Sequence, residues 1–279
     1  MATNSPMKQV SKTMGNGALS FDRHFVLGGK VVLHQQAGGA HKAGLDAVML
    51  AASVQEGGKS QKRIVDLGAG VGTAGLCVLN RLPNATATLV ENDPATLELA
   101  NATLNDPDNQ WLNGRATTLN ADVTLRGDAR LEAGLTLNMA DHVIMNPPYY
   151  DAAQVRTSDN VARQAAHVLA DDGLEPWFRT AAAILVSGGM LSVIFPASSL
   201  SNLLALMEGR FGGISVFPLY KGEGEEATRV IVCGQKGSRA PMRLLSGFIL
   251  HQAQKGDVAR REWTDEANAV LNGETGLVI

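Results

Sequence analysis

The stretch KRIVDLGAGVGTAG, residues 62–75, carries a short apolar run directly into a cluster of glycines. Ile64 and Val65 are typical of a buried strand, and residues 70–75 satisfy GxGxxG, a pattern that joins a strand to a helix in dinucleotide-binding folds. The pattern alone is a weak signal, because a glycine-rich turn also permits close packing of a helix on a strand. The residues around it decide between these interpretations.

Strand-like and helix-like patterns alternate along the chain after about residue 44. The strand-like runs are KRIVDLG, ATATLVEN, DHVIMN, GGMLSVIFP and GGISVFPLY, and the helix-like runs are AGLDAVMLAASV, TAGLCVLNRL, DPATLELANATL, EPWFRTAAAILV and SSLSNLLALMEG. This alternation predicts an α/β fold with a mostly parallel sheet and helices on both faces. ISVFPLY and ATRVIVCGQK are joined by the charged loop KGEGEE, which predicts an antiparallel hairpin that closes the sheet.

The bulk properties are those of an ordinary soluble globular domain. The chain has 279 residues, of which 45% are hydrophobic and 18% charged, and its net charge is −3. We expect one domain over residues 18–279 and a disordered start over residues 1–17, which lack the apolar core of a secretory signal. The longest apolar stretch, TAAAILVSGGMLSVIFP, is too interrupted for a membrane span. Cys77 and Cys233 both lie in apolar surroundings, which favours buried thiols in a reducing, cytoplasmic setting.

The residues around the glycines indicate a cationic ligand. Asp66 precedes the loop at the end of a predicted strand, where its carboxylate would repel a pyrophosphate. The same carboxylate suits S-adenosylmethionine, which has an ammonium group, a sulfonium and no phosphate. Gly68 and Gly70 permit close approach of the backbone to such a ligand.

Two further acidic positions follow the next two strands. Glu91, followed by Asn92, ends the second strand, where a carboxylate can accept hydrogen bonds from ribose hydroxyls. Asp122 follows the third and could accept a hydrogen bond from the adenine amino group. An ordinary helix-start acid at Glu91 and an ordinary turn aspartate at Asp122 remain open.

The sequence NPPYY, residues 146–150, follows another buried strand and predicts a corner that binds an amine. The Asn146 side-chain oxygen and the Pro147 carbonyl are two acceptors for the hydrogens of a planar NH2 group. Pro147 and Pro148 restrict the backbone, which preorganises both acceptors. Tyr149 offers a ring on which a planar base or amide can stack. An ordinary Asn-Pro turn is the alternative.

DLGAGVG together with NPPY resembles the class I S-adenosylmethionine-dependent methyltransferases of amino nitrogens. Over residues 20–275 the chain is similar to the bacterial tRNA adenine-N6 methyltransferases that modify valine tRNA beside the anticodon. The resemblance implies a Rossmann-like fold whose seven-stranded, mostly parallel sheet is closed by the antiparallel hairpin, with residues 18–60 as an N-terminal segment that covers the cofactor.

The resemblance also implies roles for individual residues. Cofactor contacts are expected from Lys42, Gly44, Asp66, Gly68, Gly70, Glu91, Asn92, Asp122 and Asn146. The target amine would be held by Asn146, Pro147, Pro148 and Tyr149. The family usually has a Tyr-Arg pair where this chain has His41-Lys42.

The substrate is expected to be tRNA, with phosphate contacts at Arg156, Lys236 and Arg239. No metal is expected, because the sequence lacks a Cys/His metal spacing. Trp177 and His167 are interpreted as packing and capping residues. The alternatives are methylation of a glutamine amide in a protein such as a release factor, DNA or small-molecule amine methylation, a non-catalytic binding module, and an NAD-dependent oxidoreductase. The small number of residues before the first predicted helix argues against the release-factor enzymes, which carry a helical substrate domain there.

Overall fold

The fold is described from a computed structural model that covers residues 8–11, 21–37, 44–57, 61–148, 173–253 and 261–279. In these ranges the helices are α1 to α7, in chain order Leu45–Ala52, Thr73–Arg81, Pro94–Leu104, Gly127–Glu132, Glu175–Ile184, Leu200–Met207 and Asp265–Leu271. The strands are β1 to β12, in chain order Lys8–Ser11, Phe21–Val26, Val31–Gln36, Lys62–Leu67, Ala85–Glu91, Ala116–Asn120, Ala140–Met145, Leu185–Pro196, Phe211–Tyr220, Ala227–Lys236, Arg243–Leu244 and Phe248–Ile249.

The central sheet has the strand order β11-β9-β10-β8-β7-β4-β5-β6, with β12 also paired to β9. Strands β4 to β8 pair in parallel, whereas β10 runs antiparallel to both of its neighbours, β8 and β9. The predicted mostly parallel sheet and closing hairpin are confirmed. Seven strands form the body of the sheet, and the two-residue strands β11 and β12 raise the described count to nine.

Two apolar layers cover the sheet, one on each face. One layer contains Met49 of α1 and Leu76 of α2, and the other contains Phe178 of α5 and Leu203 of α6. All six residues of β7 are buried, as expected for a central strand covered on both faces. Alternation along β4 sends Val65 and Leu67 to the α5 side, and therefore sends Asp66 to the α1–α2 side.

A separate three-stranded antiparallel sheet, β1-β2-β3, packs beside this core. The side chain of Asn109 holds it: its oxygen accepts from the Val32 amide at 3.1 Å, and its nitrogen donates to the Val32 carbonyl at 2.7 Å and the Thr103 carbonyl at 2.8 Å. Asp106 adds an ion pair to Arg23 at 2.8 Å. These bonds fix the β2–β3 hairpin to the segment after α3.

Three details differ from the sequence patterns. Lys8–Ser11 pair with β2 as a strand, although they lie in the segment 1–17 that was expected to be disordered. β8 begins at Leu185, directly after α5, and not at the glycines that follow. The hairpin of β2 and β3 was not anticipated within the N-terminal segment.

The long apolar stretch TAAAILVSGGMLSVIFP is divided between α5 and β8. Among the described helices, none has both the length and the apolar character needed to cross a bilayer.

Candidate active site

The predicted site residues meet where the parallel strands end. Leu67 of β4 pairs with Met145 of β7, so the residues that follow these strands, Gly68 and Asn146, lie side by side. Glu91 and Asn120 pair at the ends of β5 and β6 on the other side of β4. The chain order reverses between β4 and β7, and such a switch point is where open α/β sheets bind their ligands.

The glycine loop leaves an open surface at Gly70. Its φ of +58° is a conformation that glycine adopts without strain, and no atom lies within 4 Å of the place where a Cβ would stand. Gly75, in contrast, permits close packing, because a Cβ there would lie 2.5 Å from the Leu89 side chain. The loop therefore combines both proposed uses of glycine, a tight helix–strand contact and an exposed backbone surface.

Asp66 lies beneath this loop and is 2% exposed. One carboxylate oxygen accepts a hydrogen bond from the Gly75 amide at 2.8 Å. Burial raises the pKa of Asp66 to about 7, assisted by the nearby charge of Glu91 and opposed by the Gly75 hydrogen bond. The free protein therefore holds a carboxyl that titrates near neutral pH at the base of the loop.

Glu91 joins the glycine loop to the turn that follows β5. One oxygen accepts from the Gly70 amide at 3.0 Å, and the other accepts from the amides of Asn92 and Asp93, both at 2.9 Å. A carboxylate offers about four acceptor positions, so capacity for a hydroxyl donor remains. Asn92 takes part here through its backbone.

Asp122 follows β6 in a local turn, where one oxygen accepts from the Thr124 amide at 2.7 Å. This bond is the one expected of an ordinary turn aspartate. The bond occupies one of the two carboxylate oxygens, so an adenine contact through the other is compatible with the turn.

Asn146 is the unusual member of the site. Its side-chain oxygen is buried and accepts no hydrogen bond from any residue within the described ranges. The next residue, Pro147, is buried, and Pro148 is exposed. An acceptor left unpaired in this way is the arrangement expected if a ligand supplies the donor.

These residues fit S-adenosylmethionine. The open backbone surface at Gly70 gives room for a ligand beside two carboxylates, Asp66 and Glu91. Carboxylates in this position favour a cationic ligand over a pyrophosphate. No cluster of three or more His, Cys, Asp or Glu side chains suited to a metal occurs within the described ranges.

Gly44 is the N-cap of α1. The first turn of α1 is held at the edge of the sheet where the parallel strands end. Its Asp46 forms an ion pair with Arg229 at 2.9 Å, and Arg229 pairs with Pro196, the last residue of β8. Lys42, Tyr149 and Arg156 lie outside the described residues, so their assigned contacts stay predictions.

Lys236 and Arg239 lie at the other edge of the sheet. Lys236 ends β10, which runs antiparallel, and its amine donates at 2.6 Å to the carbonyl of Leu185, the first residue of β8. Ser238, next to Arg239, lies against Gly212 at the start of β9. The parallel strands between the two edges span about 20 Å at roughly 3.3 Å per residue. Neither residue therefore lies beside the amine proposed at Asn146, and their assignment as phosphate contacts of a bound RNA stays a prediction.

Helix α5 contributes side chains that the sequence did not single out for function. The Thr180 hydroxyl donates to the Val123 carbonyl at 2.7 Å, and Arg179 donates to the Thr124 carbonyl at 3.0 Å, both beside Asp122. Trp177 lies against Gly68. In sequence, EPWFRTAAAI reads as an ordinary amphipathic helix, so no local signal marks these contacts.

Comparisons with known proteins agree with this geometry. The profile of the methyltransferase small domain matches residues 40–178. A solved structure from Agrobacterium tumefaciens, described as a predicted O-methyltransferase, is 36% identical with a TM-score of 0.70, and the match covers 84% of this chain and 98% of that one.

Two curated relatives carry the name tRNA1(Val) (adenine(37)-N6)-methyltransferase. The protein from Pedobacter heparinus is 28% identical over 205 residues, which is 71% of this chain and 79% of the relative. The protein from Porphyromonas gingivalis is 27% identical over 170 residues, which is 60% of this chain and 64% of the relative, just under two thirds of its length.

Proposed function

This chain belongs to the class I S-adenosylmethionine-dependent methyltransferases, and we propose that it methylates the exocyclic N6 amine of an adenine in tRNA, close to the anticodon. The family fixes the cofactor and the type of reaction. The choice of target rests on the corner at Asn146 and on the names of the curated relatives.

The side-chain oxygen of Asn146, which no described residue pairs, carries the proposal. Leaving a buried acceptor without a donor costs about 1–3 kcal/mol, and an amine N–H placed there recovers that free energy. The Pro147 carbonyl is the second acceptor in the proposal, and the two proline rings restrict the backbone that presents it. Two acceptors with fixed positions suit a planar NH2 group better than a hydroxyl, which has a single hydrogen to donate.

S-adenosylmethionine, when bound, would supply an electrophilic methyl group, with its neutral thioether as the leaving group. The role of Asn146 and Pro147 is to hold the nitrogen in line and to stabilise the positive charge that develops on it. The surplus proton then passes from the nitrogen to solvent. Asp66 and Glu91 hold the cofactor from the other side of the switch point.

An RNA substrate is favoured by the relatives, whose names specify adenine 37 of a valine tRNA. Adenine N6 belongs to a planar NH2 group, as the corner requires. A nucleotide in a loop costs less to place in such a corner than a paired one, because it need not leave a base pair. The two buried thiols, Cys77 and Cys233, fit a reducing cytoplasmic setting.

A positive rim lies next to the proposed adenine pocket. Arg179 and Arg210 pair with Glu175, Arg210 at 2.7 Å, and Arg126 approaches the same carboxylate at 4.0 Å. Three guanidinium groups around one carboxylate leave an excess of two positive charges. Because Arg179 also contacts Thr124 beside Asp122, this charge lies where phosphates of a bound RNA could be neutralised.

The direct test is incubation of the full chain with S-adenosylmethionine labelled in the methyl group and an unmodified valine tRNA transcript, followed by nucleoside analysis. We expect N6-methyladenosine in the anticodon loop with the native chain and about a hundredfold less, or none, with Asn146→Ala in the same time. Two further substrates are tested in parallel: a peptide with an exposed glutamine, and an RNA duplex in which the anticodon-loop sequence is fully paired. Label on the glutamine alone would replace the RNA target with a protein one, and equal labelling of loop and duplex would contradict the preference for an unpaired base.

A further inference from the structure

The indole of Trp177 rests directly on the glycine loop. A Cβ added at Gly68 would lie 2.4 Å from Cη2 and 2.8 Å from Cζ3 of this ring. Atoms cannot approach so closely, so the ring edge occupies the space that any other side chain at position 68 would need. Trp177 therefore reaches the backbone of the cofactor loop from the opposite side of the sheet to Asp66.

The indole of Trp177 lies near the place where the methyl donor and the acceptor amine must meet. Gly68 follows β4 and Asn146 follows β7, and the pairing of Leu67 with Met145 sets these two residues side by side. The indole therefore lies between the glycine loop, which is assigned to the cofactor, and Asn146, which is proposed to hold the amine.

Helix α5 holds the ring in this place. Phe178 is fully buried, and Thr180 is tied to the Val123 carbonyl at 2.7 Å. Trp177, directly before Phe178, is half-buried. Trp177 packs against the apolar layer on the α5 side of the sheet but is less covered than Phe178, so the helix presents a partly covered aromatic ring beside the glycine loop.

We propose that Trp177 is a positioning residue that recognises the sulfonium of the cofactor through the face of its indole. Trp is the best aromatic partner for a cation, and the attraction increases when the site is desolvated. The sulfonium becomes a neutral thioether on methyl transfer, so the ring favours the donor, S-adenosylmethionine, over the product, S-adenosylhomocysteine. This inference concerns the cofactor alone and holds whether the amine comes from RNA or from protein.

The test compares affinities for the charged donor and the neutral product, measured by calorimetry on the full chain without substrate. Trp177→Leu should weaken donor binding about three- to tenfold and product binding less than twofold, and Trp177→Phe should lie between Leu and the native chain. The matched control is Trp263→Phe, because Trp263 is also partly buried and stacks on His251. It should leave both affinities unchanged.

Fluorinated tryptophan, incorporated during expression, gives a second measurement that does not depend on how well Trp177→Leu folds. Each added fluorine weakens the negative face of the ring while largely conserving its shape, so donor affinity should fall stepwise and product affinity should not. Equal loss of both ligands in Trp177→Leu, or a flat series across the fluorinated proteins, would overturn the sulfonium contact and leave Trp177 as a support for Gly68. Transfer of methyl groups to RNA is not measured in either experiment, so their failure is distinct from failure of the proposed substrate.

Discussion

Two asparagines with buried side-chain atoms, Asn109 and Asn146, use the same amide group in opposite ways. Asn109 is fully buried and spends its oxygen and both nitrogen hydrogens on the backbone at Val32 and Thr103. Asn146 has a buried oxygen that no described residue pairs. The first joins two parts of the fold, and the second has a buried acceptor that no residue in the described part of the chain satisfies.

The comparison shows how stability and function separate in this molecule. A satisfied amide contributes to folding, because its removal would leave backbone groups of Val32 and Thr103 unpaired in the interior. An unsatisfied acceptor does not stabilise the folded state of the free protein. It contributes free energy only when a bound ligand donates a hydrogen bond to it. The two positions should therefore respond differently to the same substitution, and each prediction that follows tests one side of this difference.

The largest effect is expected from Asn146→Ala on turnover. Loss of an acceptor aimed at a nitrogen that becomes positively charged should lower kcat about a hundredfold or more, while affinity for S-adenosylmethionine stays within twofold. Single-turnover kinetics and calorimetry measure the two quantities. The free energy of unfolding should be unchanged or slightly higher, because the substitution removes a buried atom that no described residue pairs. Unchanged turnover in a folded Asn146→Ala protein would remove Asn146 from the mechanism.

The matched substitution, Asn109→Ala, should lower the free energy of unfolding by about 2–3 kcal/mol, because it leaves the Val32 amide and two carbonyls without their partners. Urea denaturation followed by circular dichroism measures this change. Turnover per folded molecule should stay within about twofold, since Asn109 lies on the segment that anchors the β2–β3 hairpin. A stability equal to that of the native chain would show that the comparison between the two asparagines does not hold.

Asp66 stands between these two cases, because one oxygen binds the Gly75 amide and the carboxylate is also assigned to the cofactor. Asp66→Asn keeps an oxygen for Gly75 and removes the charge, so it isolates the ligand contact. We expect cofactor affinity to fall by about 2 kcal/mol through loss of a charge-assisted contact to the ammonium group. Calorimetry with Asp66→Asn that gave the native affinity would assign Asp66 to the loop alone.

A pH dependence follows from the raised pKa of Asp66. Burial brings this pKa to about 7, so the free protein carries a protonated, neutral carboxyl below that pH. A cationic ligand requires the ionised form, and binding below the pKa must first release a proton. Affinity should therefore be roughly constant just above pH 7 and fall towards tenfold for each pH unit below it, about 1.4 kcal/mol per unit. Calorimetry between about pH 5.5 and 7.5 tests this dependence, and Asp66→Asn should give a flat profile.

Sequence patterns predicted the parts of the fold and site that depend on local order. The alternation of strands and helices predicted the parallel sheet. Residues at the carboxyl ends of parallel strands must share one edge, so the patterns also predicted that Gly68, Glu91, Asp122 and Asn146 lie at the same edge. The same reasoning applied to the hairpin would have placed Lys236 correctly, because β10 runs antiparallel and its last residues lie at the far edge. Charge alone suggested a phosphate contact and carried no information about position.

Contacts between distant segments could not be read from the sequence. Asn109 binds Val32 across 77 positions of the chain, and neither residue belongs to a motif. Trp177 meets Gly68 because α5 packs on the face of the sheet that β4 shares with β7, and an aromatic residue near a helix start predicts only a buried side chain. Such contacts depend on tertiary packing, which periodicity does not encode.

The most direct test of the claim that Asn146 holds an exocyclic amine compares two RNA loops and two proteins. An anticodon stem-loop with adenine at the target position, or with purine, which lacks the amine, is titrated into the native chain and Asn146→Ala with S-adenosylhomocysteine present. We expect the native chain to bind the adenine loop about tenfold more tightly than the purine loop and Asn146→Ala to lose most of this preference, since one buried hydrogen bond is worth about 1 kcal/mol or slightly more and only the Pro147 acceptor remains. The same preference for adenine in both proteins would show that Asn146 does not contact the amine and would contradict the proposed mechanism.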